Sequence, residues 1–146
     1  LAPAAVVTSR EPKAAETGAL LAAALGLPPA EASDGLGEHD RSNVPHLPTR
    51  EFISLVELFF RRPGERVLGR ETADEALVRF AAAVDDVLAR HPAGNVAVVT
   101  HGTVLALLLA KHGGGRPFEL WRRMGLPSYA VVELPAWRVA RVVERV

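Results

Sequence analysis

The sequence predicts an α/β fold: a three-layer sandwich whose mainly parallel sheet is flanked by helices and followed by an antiparallel C-terminal hairpin. Three observations predict it. Short β-branched runs alternate with longer helical patterns, the rhythm of strand–helix–strand units around a parallel sheet. Apolar residues make up 49% of the chain against 23% charged, enough to build a core and too many for a disordered chain. The 146 residues suit a single domain over 1–146.

Residues 5–9, Ala-Val-Val-Thr-Ser, read as a short buried strand. Glu11-Pro12 then opens an Ala/Leu-rich helix, with Pro12 at a first-turn position where its missing N–H costs nothing. That helix runs to about Leu25 and stops at Gly26, with Pro28-Pro29 beyond it. Residues 30–48 carry Gly35, Gly37, Pro45 and Pro48 and read as loop. A helix over 49–61 follows, with Phe52, Leu55, Val56 and Phe59 on one face, ended by Pro63-Gly64. Thr72 and Glu75 have the spacing of a capping box, in which hydroxyl and carboxylate each satisfy an amide of the first turn. Behind them Leu77, Phe80, Val84, Val87 and Leu88 recur every three or four residues, marking a long amphipathic helix. After His91-Pro92-Ala93-Gly94, residues 95–100 read as a second buried strand, His101-Gly102 as a turn, and 103–112 as a helix ended by three glycines. A short helix over 117–124 precedes two strands, 129–134 and 137–143, that fold back around Pro135-Ala136.

Charge and composition exclude several function classes. Lys plus Arg (17) equals Asp plus Glu (17), so no bulk positive charge is present to hold nucleic acid. With no cysteine there is no disulfide framework, thiolate zinc site or cysteine nucleophile, a pattern compatible with a reducing cytosol. The longest apolar run, 104–110, is far too short to span a bilayer, and no basic-then-apolar leader is visible. The expected setting is cytoplasmic, without membrane or nucleic-acid partners. The apolar hairpin over 131–143 leaves a homo-oligomer open.

In parallel sheets ligands collect at the carboxyl ends of strands. Three features fall at such ends. His101 follows the apolar run 96–99 and precedes Gly102, which permits a sharp turn, and the amides of the next helix favour an anion. The plainer alternative is a histidine that caps a strand, and position alone weighs the two equally. Ser9, Arg10 and Lys13 lie where the first strand passes into its helix; alone, Lys13 reads as a solvated cation beside Glu16. Glu38 sits in a Gly-flanked loop, where burial or charge can adapt a carboxylate to acid catalysis, although most loop glutamates do no such work.

The combination is more specific than its parts. Residues 9–17 (Ser-Arg-Glu-Pro-Lys-Ala-Ala-Glu-Thr), Leu36-Gly37-Glu38, Gly69-Arg70-Glu71-Thr72 with Arg79, and 98–102 (Val-Val-Thr-His-Gly) occur in the order of the histidine phosphatase superfamily. The chain resembles these phosphoglycerate mutase-like proteins over roughly residues 6–134. The resemblance implies that His101 is the second active-site histidine, contacting the phosphoryl group without attacking it, and that Gly102 keeps the next turn open for phosphate. It implies that Glu38 protonates the leaving oxygen and later activates water. Lys13 stands where the family has an arginine in its phosphate pocket, which keeps the charge but loses the bidentate fork. Arg10 lies near without occupying the matched position.

One family feature is absent. The phospho-accepting histidine belongs to an Arg-His-Gly triplet at the end of a first strand, and no such triplet occurs in the chain. His39, His46, His91 and His112 all lie in other contexts. With the start at Leu1-Ala2-Pro3, this predicts an N-terminally truncated chain, inactive alone and with exposed sheet edges. An Arg-His-Gly encoded upstream of Leu1 favours an enzyme, most simply a phosphomonoester hydrolase using a phosphohistidine. Phosphoglycerate mutase-type transfer and a non-catalytic anion-binding or assembly module are the alternatives. An α/β-hydrolase triad lacks its Gly-x-Ser-x-Gly elbow. The resemblance implies a small phosphorylated substrate, with no cofactor and no metal, because Lys13, His101 and the arginine of the missing triplet offset phosphoryl charge. Segment 38–71 is expected to supply a lid, with Val44, His46, Phe59, Phe60, Arg61 and Arg66 as lining candidates; Phe59 and Phe60 read more simply as core.

Overall fold

A computed structural model describes residues 2–146. The backbone groups into two compact units, one made of the chain up to Glu38 with Leu77–His101, the other of His39–Ala76 with Gly102–Val146.

The first unit is built on a parallel sheet. Strand β1 (Pro3–Ser9) lies between β2 (Glu31–Ser33) and β3 (Asn95–Val99), giving the order β2-β1-β3. Val7 stands opposite Glu31 on one side and Val98 on the other, with an irregularity between Pro3 and Ala5. Val6, Val7, Thr8 and Ser9 are all buried, as β-branched and small residues suit a strand paired on both sides. β3 is half-buried, where its Val-Ala-Val-Val run predicts a buried strand. Among the described residues it pairs with β1 alone and so forms an edge.

Helix α1 (Pro12–Ala24) packs on this sheet through small residues. Its buried positions are Ala14, Gly18 and Ala22, one face at i, i+4 spacing, while Leu20 points outward. A Cβ on Gly18 would come within 3.0 Å of the Thr8 Cβ, so the missing side chain lets helix and strand approach closely. The helix ends where Gly26 takes a positive φ of 65°.

The loop expected over 30–48 contains regular structure at its start. Besides β2 it contains a 3-10 turn, Asp34–Leu36, whose Leu36 is fully buried. Three residues without β-branching carry no strand signal; β2 forms because β1 offers it a parallel edge. A Cβ on Gly35 would lie 2.5 Å from the Cβ of Ala83, which fixes glycine at the turn. Helix α3 (Ala73–Arg90) buries Phe80, Val84 and Val87 as its periodicity requires. Its capping box forms as expected: the Glu75 amide donates to Thr72 Oγ1 at 3.1 Å and the Thr72 amide to Glu75 Oε2 at 2.7 Å. That amide is the main reason the Glu75 carboxyl lies below its ordinary pKa.

The second unit carries helices and the C-terminal hairpin. Helices α2 (Thr49–Arg61) and α4 (Gly102–Lys111) both contact α5 (Pro117–Arg123). Phe59, Phe60, Phe118, Trp121 and Phe52 form a run of ring contacts with centroids 5.5 to 6.4 Å apart. Such contacts add stabilisation beyond the area they bury. The tail forms the expected antiparallel hairpin, β4 (Tyr129–Glu133) against β5 (Arg138–Val143). No helix among the described residues is long and apolar enough to cross a membrane.

Candidate functional site

Three parts of the first unit meet at the carboxyl end of the sheet. The end of β1 supplies Ser9, the second residue after β3 supplies His101, and the segment after the 3-10 turn supplies Glu38. Ser9 and His101 are both buried, and Ser9 Oγ lies 2.6 Å from His101 Nε2 across 92 residues of sequence. The Glu11 amide donates to the same Oγ at 3.3 Å. The tautomer decides which of the two donates: the hydroxyl when Nε2 is bare, and the ring when Nε2 carries the proton.

Glu11 is the hub of the arrangement. Its Oε1 accepts the Glu38 amide at 2.7 Å and lies 3.4 Å from His101 Nε2. Its Oε2 lies 3.6 Å from the Lys13 ammonium. Glu11 stands at the N-cap of α1 but makes no side-chain cap bond to it. Its carboxylate turns instead toward the Glu38 amide, the His101 ring and the Lys13 ammonium, from three separated segments.

The Glu38 loop is held from behind by Arg79 on α3. Its guanidinium donates to the carbonyls of Gly35 at 2.9 Å, Gly37 at 3.0 Å and Glu38 at 3.1 Å. A planar fork suits several carbonyls converging at the end of a turn, where a single ammonium reaches fewer. Thr100 adds a bond from its hydroxyl to the Leu36 carbonyl at 2.8 Å, tying the segment after β3 to the same turn.

The expected residues fall as follows. Lys13, exposed in the first turn of α1, the buried His101 ring and the Glu38 backbone share the Glu11 carboxylate as a common neighbour. Gly102 opens α4 in the second unit, where a Cβ would meet Trp121 at an ordinary 3.5 Å, so no protein neighbour demands glycine there. Arg10 pairs with Asp34. Of the expected lid residues, Val44 and His46 line a cavity of about 360 Å³ in the second unit with Arg41, Pro45 and Phe52. Phe59 and Phe60 are buried core, and Arg66 bonds Glu75 at 3.3 Å. His39 is a satisfied core histidine: its Nε2 lies 3.0 Å from the Glu71 carbonyl and its ring packs on Phe59. Among the described residues no group of three or more His, Asp or Glu is placed to hold a metal ion.

Sequence reasoning assigned no role to Glu11, which looks like a helix-end acid, and named Arg79 only among the residues that carry the family resemblance, without its partners. Their partners lie 27 residues and 41 to 44 residues away, beyond any local signal.

A model of the histidine phosphatase superfamily (branch 1) matches residues 1–146. Solved structures that share the fold include the following three. YhfR of Bacillus stearothermophilus is 23% identical, with a TM-score of 0.72 over 97% of this chain and 73% of that one. A mycobacterial hydrolase is 17% identical, with a TM-score of 0.71 over 96% and 70%. The alpha-ribazole phosphatase of Shigella flexneri is 17% identical, with a TM-score of 0.68 over 97% and 73%. Comparison with curated proteins gives no match.

Proposed function

The chain belongs to the histidine phosphatase superfamily (branch 1), and from that premise we propose that the protein is a phosphomonoester hydrolase working through a phosphohistidine. One observation carries the reading. The His101 ring, the Lys13 ammonium and the Glu38 backbone amide, from three separated segments, lie around a single carboxylate at the carboxyl end of the sheet. A set of donors that already converges on one anion is the construction a phosphoryl group requires. The alpha-ribazole phosphatase among the similar structures is a hydrolase of a small phosphorylated compound, which favours hydrolysis over transfer to a second alcohol.

In this scheme a histidine upstream of Leu1 attacks phosphorus. A nitrogen–phosphorus bond forms as the ester oxygen leaves with its electron pair. His101 and Lys13 offset charge on the non-bridging oxygens, while Gly102 leaves room for them at the turn. Glu38 gives its proton to the departing oxygen, a service worth about 10²–10⁴-fold for a positioned acid. It then takes a proton from the water that attacks the phosphohistidine, releasing inorganic phosphate and restoring both groups. Ser9 orients the His101 ring through the 2.6 Å bond, so the nitrogen facing the phosphoryl group is held in place.

The test is hydrolysis of p-nitrophenyl phosphate by the full-length protein with and without His101→Ala. Loss of that histidine should lower kcat by about 10²–10³-fold, the scale for one electrostatic stabiliser of a transition state. Unchanged rates would defeat the assignment. Residues 1–146 alone are expected to be inactive.

A further inference from the structure

We infer that the Glu11 carboxylate is an internal anion seated in the phosphoryl subsite, and that it sets how weakly the site holds free phosphate. The inference rests on the phosphate-binding reading above. Glu11 Oε1 takes the Glu38 amide at 2.7 Å and lies 3.4 Å from His101 Nε2, while Oε2 lies 3.6 Å from Lys13 Nζ. These are the groups a phosphoryl dianion needs for its own oxygens. A carboxylate and a phosphate cannot share them, because like charges at such distances repel strongly where water is partly excluded.

Glu11 is built to move aside. Its side chain is 39% exposed, so solvent is available to receive the carboxylate. It makes no bond to the amides of α1 that would be broken. The Glu11 backbone stays fixed, because its amide donates to Ser9 Oγ independently of where the carboxylate points. Displacing the carboxylate weakens every anion by a similar factor, but the consequence differs between substrate and product. A phosphomonoester recovers affinity through contacts to its leaving group. Inorganic phosphate has no such part, so the returning carboxylate expels it. Glu11 is thus an affinity-determining residue that limits product inhibition.

The experiment titrates inorganic phosphate against the full-length protein and its E11Q and E11D variants. Affinity is measured by calorimetry and as the competitive inhibition constant for p-nitrophenyl phosphate. E11Q removes the charge and keeps an oxygen to accept the Glu38 amide, so the loop stays anchored and thermal stability should hold. E11Q should bind phosphate about tenfold more tightly, the effect of removing one nearby partly solvated charge. E11D keeps the charge and should stay within about threefold of the wild type. The sign separates the roles: a residue that only braces the Glu38 loop would, when altered, leave binding unchanged or weaken it, and either result overturns the inference. If neither wild type nor E11Q binds phosphate, the phosphoryl reading itself falls. If the wild type binds and E11Q gains nothing, only the role given to Glu11 falls.

Discussion

Replacing Arg79 should loosen the Glu38 loop without touching Lys13 or His101. The guanidinium donates to three carbonyls, those of Gly35, Gly37 and Glu38, at 2.9 to 3.1 Å. Arg79→Met keeps most of the aliphatic stem and removes all three donors. A hydrogen bond from a charged group contributes about 1.5–3 kcal/mol net, and the three are not additive because they share one cation and water can reach part of the loop. The expected loss is therefore that of about one strong bond, roughly 2–3 kcal/mol. For a chain of this size that corresponds to a fall in Tm of about 6–9 °C. Arg79→Lys restores a charge that reaches fewer carbonyls and should recover less than half of the loss. Thermal unfolding by circular dichroism measures the stability. Turnover of p-nitrophenyl phosphate by the full-length protein should show kcat falling about tenfold, as for a misplaced acid, with little change in the inhibition constant for phosphate. A Tm within about 1 °C of wild type for Arg79→Met, or a lysine variant equal to wild type, would refute the clamp.

Thr72→Ala removes the hydroxyl that accepts the Glu75 amide and should cost about 1 kcal/mol in denaturant unfolding. Glu75 has a folded-state pKa below its ordinary 4.5, chiefly through the Thr72 amide. Its contribution is therefore complete above the unfolded value and is lost as pH falls through the folded one. The stability gap between wild type and Glu75→Gln should be present at pH 7 and shrink steadily below pH 4.5, as urea titrations across that range would show. Gly35→Ala drives a Cβ to 2.5 Å from the Ala83 Cβ, an overpacking cost of about 1–3 kcal/mol. Ala83→Gly in the same chain should recover part of that cost despite its own helix penalty, and a double-mutant cycle with no coupling would remove Ala83 as the obstacle.

The elements most legible in the sequence were those specified by their own neighbours. Helix α2 matches its expected bounds at both ends, 49 and 61. The Thr72–Glu75 box forms in both directions because the two residues need only each other and the first turn between them. The Gly26 stop and the hairpin around Pro135 likewise follow from turn chemistry. Strand β2 was invisible for the opposite reason: Glu-Ala-Ser has no strand preference, and only pairing with Val7, Thr8 and Ser9 makes it one. The burial expected of β3 was overstated, because an apolar run says nothing about how many strands will lie beside it.

Family membership and the identity of His101, Lys13 and Glu38 as candidates came from residue types in order along the chain, which folding does not alter. Their grouping is another matter. Glu11 gathers an amide 27 residues on and a ring 90 residues on, and Arg79 reaches back more than 40 residues to hold three carbonyls. A side chain's charge and reach are written locally, but its partner is set by which strand ends the parallel sheet brings side by side. That neighbourhood exists only once β1, β2 and β3 have paired, so only the folded chain decides that a glutamate before a proline stands beside the Lys13 ammonium, the Glu38 amide and the His101 ring.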